Sequence, residues 1–214
     1  MKTKIRIPGT AMLLAYLIAI FAACTKDTTQ QQPPFPLPPS PLSLPAPKSI
    51  IVYTDVNPNI TITAIGGTYY LDLNKDGNND FSLQKISGTN EFYGGKFQYK
   101  TISLTPLNNN YRSDADAHKM HIGDSIGSTN GWADNIILRT ARRSSPPGGP
   151  WNDWEYLGDW SESSDGYAGL RIIIDGQIYY GWVRLSVNFF KGFTIKDYAY
   201  NSTPNLPIKA GQKK

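Results

Sequence analysis

The chain has 214 residues, with 21 basic and 17 acidic side chains, a formal net charge of +4 and a single cysteine. One cysteine excludes an intramolecular disulfide, and the charge says little: three basic and no acidic residues fall in the first 23 positions, which leaves 18 basic against 17 acidic groups beyond them. Arg142-Arg143 and Lys213-Lys214 are isolated pairs rather than the basic patch that a nucleic-acid binder needs, so nucleic acid is not an expected partner.

Met1 to Ala23 reads as an export signal, with Lys2, Lys4 and Arg6 as its basic head and Ala11 to Ala23 as an apolar run too short to span a bilayer. Phe21-Ala22-Ala23-Cys24 has the form of a bacterial lipoprotein cleavage box, with Phe21 where leucine is usual. Lipidation accounts for the lone Cys24, and acyl chains there would tie the protein to a membrane. Thr25 is not the Asp that holds some lipoproteins in the inner membrane, which points to the outer membrane of a Gram-negative bacterium, on its cell-surface or its periplasmic side. Residues 24–48 then form a tether with prolines at 33, 34, 36, 38, 39, 41, 45 and 47. Such a run extends as polyproline II at about 3.1 Å per residue, on the order of 70 Å in all.

Residues 49–214 are of single-domain size and show short apolar runs broken by Gly, Pro, Asn and Asp, with no sustained helical period. The predicted strands are 50–54, 60–64, 68–73, 81–86, 97–104, 135–140, 170–175, 178–189 and 193–200. Many short strands at this spacing predict an all-β domain, an antiparallel β-sandwich or jelly roll behind a Pro-rich linker.

Between the third and fourth of these strands lies Asp72-Leu73-Asn74-Lys75-Asp76-Gly77-Asn78-Asn79-Asp80. Calcium needs six to eight oxygens around one point. Asp72, Asn74, Asp76 and Asp80 hold the spacing that supplies side-chain oxygens, Asn78 would add its carbonyl, and Gly77 makes the sharp turn. Leu83 stands where a helix–loop–helix hand carries its bidentate glutamate, and the flanks are strand-like, so a structural Ca2+ site between two strands is the expectation. An Asn/Asp/Gly turn without metal is the plain alternative.

Both histidines lie in Asp114-Ala115-Asp116-Ala117-His118-Lys119-Met120-His121, which reads as a solvated loop rather than a zinc or catalytic site. Gly148 to Trp160 gathers Trp151, Trp154 and Trp160 beside Asn152, Asp153, Glu155 and Asp159. Flat aromatic rings beside hydrogen-bonding groups suit stacking on sugars, so the three tryptophans are the candidate ligand-binding residues, with plugging of the sandwich end as the other role for any one of them. No spacing among Asp153, Glu155, Asp159 and Glu162 singles out the carboxylate pair of a glycosidase, and no nucleophile elbow or phosphate loop is present. No catalytic residues and no enzyme activity are expected.

The strand 178–189 alternates Tyr179, Gly181, Val183, Leu185, Val187 and Phe189, the expected core face, with Ile178, Tyr180, Trp182, Arg184, Ser186 and Asn188. A two-residue turn at Lys191-Gly192 would set Phe190 against Phe193 and place Asp197 on the Arg184 face, diagonal to Arg184 and opposite Ser186, so that Arg184 and Asp197 are expected to pair.

Tyr180-Gly181-Trp182-Val183-Arg184-Leu185-Ser186-Val187, Thr194 to Pro204, and Pro207-Ile208-Lys209-Ala210-Gly211-Gln212 together resemble the C-terminal pattern of a group of secreted bacterial β domains that often carry PEP-CTERM-type sorting tails. Asp72 to Phe81 and Gly123-Asp124-Ser125-Ile126-Gly127 match further segments of that group. The resemblance implies a surface or extracellular β domain, here with a lipid in place of the sorting tail, and transfers no catalytic residues. The combined expectation is a calcium-stabilised, membrane-tethered domain that binds polysaccharide, or alternatively a structural or adhesive protein whose partner is protein or matrix.

Overall fold

The computed structural model describes residues 45–214 apart from 108–110, 114–117, 134–135, 158, 161–162 and 189–190. The export signal, Cys24 and the tether up to residue 44 lie outside the described residues, as do Asp114, Asp116 and Glu162. Pro45 to Lys214 form one compact unit.

Among the described residues the chain makes thirteen strands: β1 (Ile51–Ile62), β2 (Thr68–Leu71), β3 (Phe81–Phe92), β4 (Gly95–Pro106), β5 (Tyr111–Ser113), β6 (Ser125–Ile126), β7 (Trp132–Ala133), β8 (Ile136–Ser145), β9 (Glu155–Leu157), β10 (Ser163–Ile174), β11 (Gln177–Asn188), β12 (Gly192–Asn201) and β13 (Ile208–Lys209). They form a six-stranded sheet in the order β1-β12-β11-β10-β5-β7, a five-stranded sheet in the order β2-β3-β4-β8-β9, and a small sheet of β13 and β6. Every pairing is antiparallel. The expected all-β sandwich is therefore the fold.

The main core lies between the two large sheets. Leu71, Phe81, Leu83, Ile102, Leu104 and Leu138 come from the five-stranded sheet, and Leu170, Ile172, Val183, Leu185, Val187, Phe193 and Ile195 from the six-stranded one. Each such side chain taken from water stabilises the fold by about 1.5–3 kcal/mol before the entropy of ordering it is set against it. A second cluster of Tyr167, Tyr180, Trp182, Ala199, Ile126, Ile208 and Ala210 covers the far face of the six-stranded sheet, under β6 and β13. That second layer explains why β11 is apolar on both faces: Val183, Leu185 and Val187 enter the inter-sheet core, while Tyr180 and Trp182 enter the outer cluster.

Turn chemistry fixes the hairpins. Tyr93-Gly94 and Asp175-Gly176 are two-residue connections with positive φ at both positions, the mirror-image turns whose twist matches that of the strands they join. The connection between β11 and β12 is longer than the expected two residues. Asn188 faces Gly192, Val187 faces Phe193 and Ser186 faces Thr194, so the ladder ends at Asn188–Gly192 and Phe193 does not face Phe190. A register shift between Leu185↔Ile195 and Arg184↔Asp197 leaves Lys196 as an extra residue, and this bulge sets Asp197 directly opposite Arg184 rather than diagonal to it. Gly192, at φ 118°, lies so close to Ile62 that a Cβ there would collide with the Ile62 carbonyl, which only glycine permits.

The two predicted strands 50–54 and 60–64 are one element, β1, whose ladder to β12 is interrupted between Asp55 and Ile60. The two ends of the domain meet at Asn201, which is fully buried. Its Oδ1 accepts from the amides of Ile50 and Thr203, and its Nδ2 donates to Ser49 Oγ and the Pro207 carbonyl.

Candidate functional site

The outward face of the five-stranded sheet carries the site. Period-two alternation along β4 sends Ile102 and Leu104 into the core and turns Phe97, Tyr99, Thr101, Ser103 and Thr105 outward. Beside them stand Gln84 and Ile86 from β3, Ile137, Thr140 and Arg142 from β8, and Leu157 from β9; His118 and Asp159 close one side. Together they line a groove of about 920 Å³. Its floor is hydroxyl-rich, with Thr101 and Ser103 buried and Thr101 Oγ1 hydrogen-bonded to Thr140 Oγ1 at 3.1 Å.

The aromatic part of that floor depends on a glycine. Gly88 faces Tyr99 across the β3–β4 ladder. Tyr99 Oη, Cζ and Cε1 lie 2.5, 2.6 and 2.8 Å from where a Cβ on Gly88 would stand, so the ring lies across the neighbouring strand. Phe97 follows on the same face, its ring centroid 6.2 Å from that of Tyr99 at an interplanar angle of 28°. Two rings side by side, one of them laid over the bare position at Gly88, make a platform with apolar surface on top and polar groups around it.

Two further depressions adjoin the groove, and Phe97 walls all three. One, of about 610 Å³, runs along Arg142, Arg143, Ser144, Asn152, Asp153, Trp154 and Glu155. The other, of about 840 Å³, lies between the β3–β4 turn at Tyr93 and Pro146-Pro147. Tyr93 itself is 92% exposed.

Charged pairs border this surface. Arg142 Nε donates to Glu155 Oε2 at 2.6 Å, which holds the Glu155 carboxyl below its ordinary range and raises Arg142. His118 Nδ1 is hydrogen-bonded to Asp159 Oδ2 at the edge of the groove. His121 turns elsewhere, its amide donating to Asp124 Oδ2 at 2.7 Å. The two histidines thus part, and only His118 joins the groove.

The three predicted tryptophans separate as well. Trp160 is fully buried in the inter-sheet core, so its ring packs there and is not offered to a ligand. Trp151 and Trp154 are half-buried and share one cation, the Arg143 guanidinium lying 4.8 Å from each ring centroid. Lys100 Nζ lies 5.0 Å from the Trp154 ring. One of the pair, Trp154, lines the second depression.

The Asp72–Asp80 loop joins β2 to β3, with Leu71 facing Phe81. Its oxygens serve its own backbone: Asp72 accepts from the amides of Asp76 and Gly77, Asp76 from that of Asn78, and Asp80 Oδ2 from that of Leu73 at 2.8 Å. Asn74 donates to Asp76 Oδ2, and this bond heads the causes that lower Asp76. Asp80 is buried, and burial first, then the charges of Asp76 and Asp72, push its carboxyl up to about 6. Among the described residues no three His, Cys, Asp or Glu side chains converge as a metal-binding group. The donor set is all oxygen, as calcium requires, and its carboxylates repel one another.

On the far face of the six-stranded sheet a second polar cluster surrounds Asp197, which is 3% exposed. Asp197 Oδ2 accepts from Arg184 Nη1 at 3.4 Å, from Tyr53 Oη at 3.0 Å and from Lys213 Nζ at 3.1 Å. Arg184 Nε and Lys196 Nζ both bind Asp165 Oδ1, at 2.9 and 2.6 Å. The expected Arg184–Asp197 pair forms, within a network that fastens β1 and the segment after β13 to the sheet.

No protein-family model, curated protein or solved structure matches the chain.

Proposed function

We propose that this is a surface-tethered carbohydrate-binding domain, carried on a lipid at Cys24 and a Pro-rich stalk, with the outward face of the five-stranded sheet as its binding surface. The observation that carries the reading is the Tyr99–Phe97 platform set in a groove of hydroxyl and amide side chains. A sugar ring is apolar on its faces and hydroxylated at its rim, and this face offers aromatic surface with Gln84, Thr101 and Thr140 around it. The resemblance to secreted bacterial β domains supports the extracellular setting. Arg142 and Asp159 already have partners in Glu155 and His118, which suits orientation of a neutral ligand better than attack on it.

The Asp72–Asp80 loop would take calcium as a structural ion through Asp72, Asn74, Asp76 and Asp80, with the Asn78 carbonyl. The support is the oxygen-only donor set and the raised Asp80 carboxyl, pushed up by burial first and then by the charges of Asp76 and Asp72, a repulsion that a divalent cation would relieve.

The test is retention of the purified protein on a panel of insoluble and soluble polysaccharides, with wild type beside Tyr99→Ala. Retention on one polysaccharide class that falls at least tenfold in Tyr99→Ala supports the reading. Equal retention of both proteins removes the platform from it. Binding to cells or matrix protein without sugar competition would instead favour an adhesive role.

A further inference from the structure

We infer that the binding face takes the interior of a linear glycan laid along β4, and not a single sugar or a chain end. The inference rests on the carbohydrate reading and concerns what kind of glycan this same surface fits.

Its first support is continuity. Phe97 walls the main groove and both adjoining depressions; Arg142 is common to the groove and the second depression, and Ser144 and Asn152 to the second and third. A ligand lying over the Phe97 ring is therefore next to all three. The second is length. Ten residue steps at about 3.3 Å separate Gly95 from Thr105, about 33 Å of floor, which matches a run of roughly six pyranose rings. A pocket for one sugar closes around it on several sides, whereas here the groove and the depression at Tyr93 both follow β4 and share Phe97, with the Tyr99–Phe97 platform between their far ends.

The third support is the nature of the two ends. At one stands Tyr93, on the turn after β3, facing Pro147 across the third depression; at the other side stands His118 with Asp159. Polar side chains stand at both ends, Asn90, Lys96, Ser144 and Asn152 at the first and His118 with Asp159 at the second, so sugar rings can be held at either. Contacts spread along the floor add with each ring until the floor is covered.

The experiment is a titration of the full-length protein, by calorimetry, with oligosaccharides of one sugar up to about eight. Linear β-1,4 glucan, β-1,4 N-acetylglucosamine, β-1,4 xylan, β-1,4 mannan and β-1,3 glucan series are the probes. Affinity is expected to rise with length and level off at about six sugars in the series that binds, with no change when the reducing end is reduced to the alditol. Tyr93→Asn, which keeps a residue at ease with positive φ, and His118→Asn are each expected to weaken the longest oligomers about five- to tenfold and leave the trimers unchanged. Tyr99→Ala is expected to weaken every length. Monosaccharide affinity equal to that of the hexamer, or loss of binding on modifying one chain end, overturns the inference while leaving carbohydrate binding intact. Absence of binding to all series overturns both.

Discussion

The ring of Tyr99 stands in the space that a side chain at Gly88 would fill, its Oη 2.5 Å from the position of the missing Cβ. The two residues face each other across β3 and β4, so the glycine allows the ring to lie over the strand rather than stand up from it. Gly88→Ala is expected to displace Tyr99, whose outer atoms are free to swing, at a cost to stability within about 1 kcal/mol. Polysaccharide affinity should fall about tenfold, equivalent to the loss of one aromatic contact. Chemical denaturation and a binding isotherm on the same variant check both halves; unchanged affinity with a displaced ring would separate Tyr99 from binding.

Trp160 and Trp154 should behave in opposite ways although only five residues separate them. Trp160→Ala removes a fully buried indole and is expected to destabilise the domain by about 3–5 kcal/mol. Trp154→Ala loses cation–π contacts with Arg143 and Lys100 and should cost about 1–2 kcal/mol at most, while weakening glycan binding in the second depression. Urea midpoints of the two variants decide it, and equal destabilisation would contradict the division of roles.

The alternation of β11 was legible because Val183, Leu185 and Val187 keep one strict period, and so was the pairing of Arg184 with Asp197. The path to that pair was not. A two-residue turn was expected, and the ladder instead ends at Asn188–Gly192 and carries a bulge at Lys196, two departures that together keep the pairing. Bulges and the two- or three-residue strands β5, β6, β7, β9 and β13 are set by tertiary contact and leave no periodic trace. The groove had a readable signal in Phe97, Tyr99, Thr101, Ser103 and Thr105, every second residue of one strand. The concentration of tryptophan after Gly148 was the stronger mark in the sequence, and it drew Trp160 into the candidate site although folding sends that side chain inward.

The Arg184–Asp197 pair gives a double-mutant cycle. Asp197→Ala leaves Arg184, Tyr53 and Lys213 without their shared acceptor and is expected to cost about 1–3 kcal/mol. In the Arg184→Ala background the same change should cost about 1 kcal/mol less. Additive losses, measured by thermal or urea unfolding, would show that the two side chains do not act together.

Asp80 supplies a pH test, run in chelator. Its folded-state carboxyl is raised to about 6, above the ordinary value near 4 in the unfolded chain, so the native state binds the proton more tightly. Stability from this group is full below pH ~4 and is lost as pH rises to ~6, a change on the order of 2–3 kcal/mol. The difference in urea midpoint between wild type and Asp80→Asn isolates it, because Asp165, held low by Lys196 and Arg184, acts in the opposite sense at more acid pH. A difference that grows in favour of wild type from pH 4 to pH 6 would contradict the assignment.

Calcium should reverse the penalty at neutral pH, since it favours the charged carboxylates. Wild type is expected to melt several degrees higher with millimolar calcium than with chelator, and Asp72→Ala combined with Asp76→Ala to melt at one temperature in both. Identical melting of wild type with and without calcium would leave the loop as a turn held by its own amides.

The most direct measurement is a residue-resolved NMR titration of the protein with the oligosaccharide that binds best. Amide shifts concentrated in Phe97–Thr105 of β4 and in the facing part of β8, with the Arg184–Asp197 side of the other sheet unmoved, are the expected result. Shifts confined to that other sheet, with β4 silent, would contradict the assignment of the binding face.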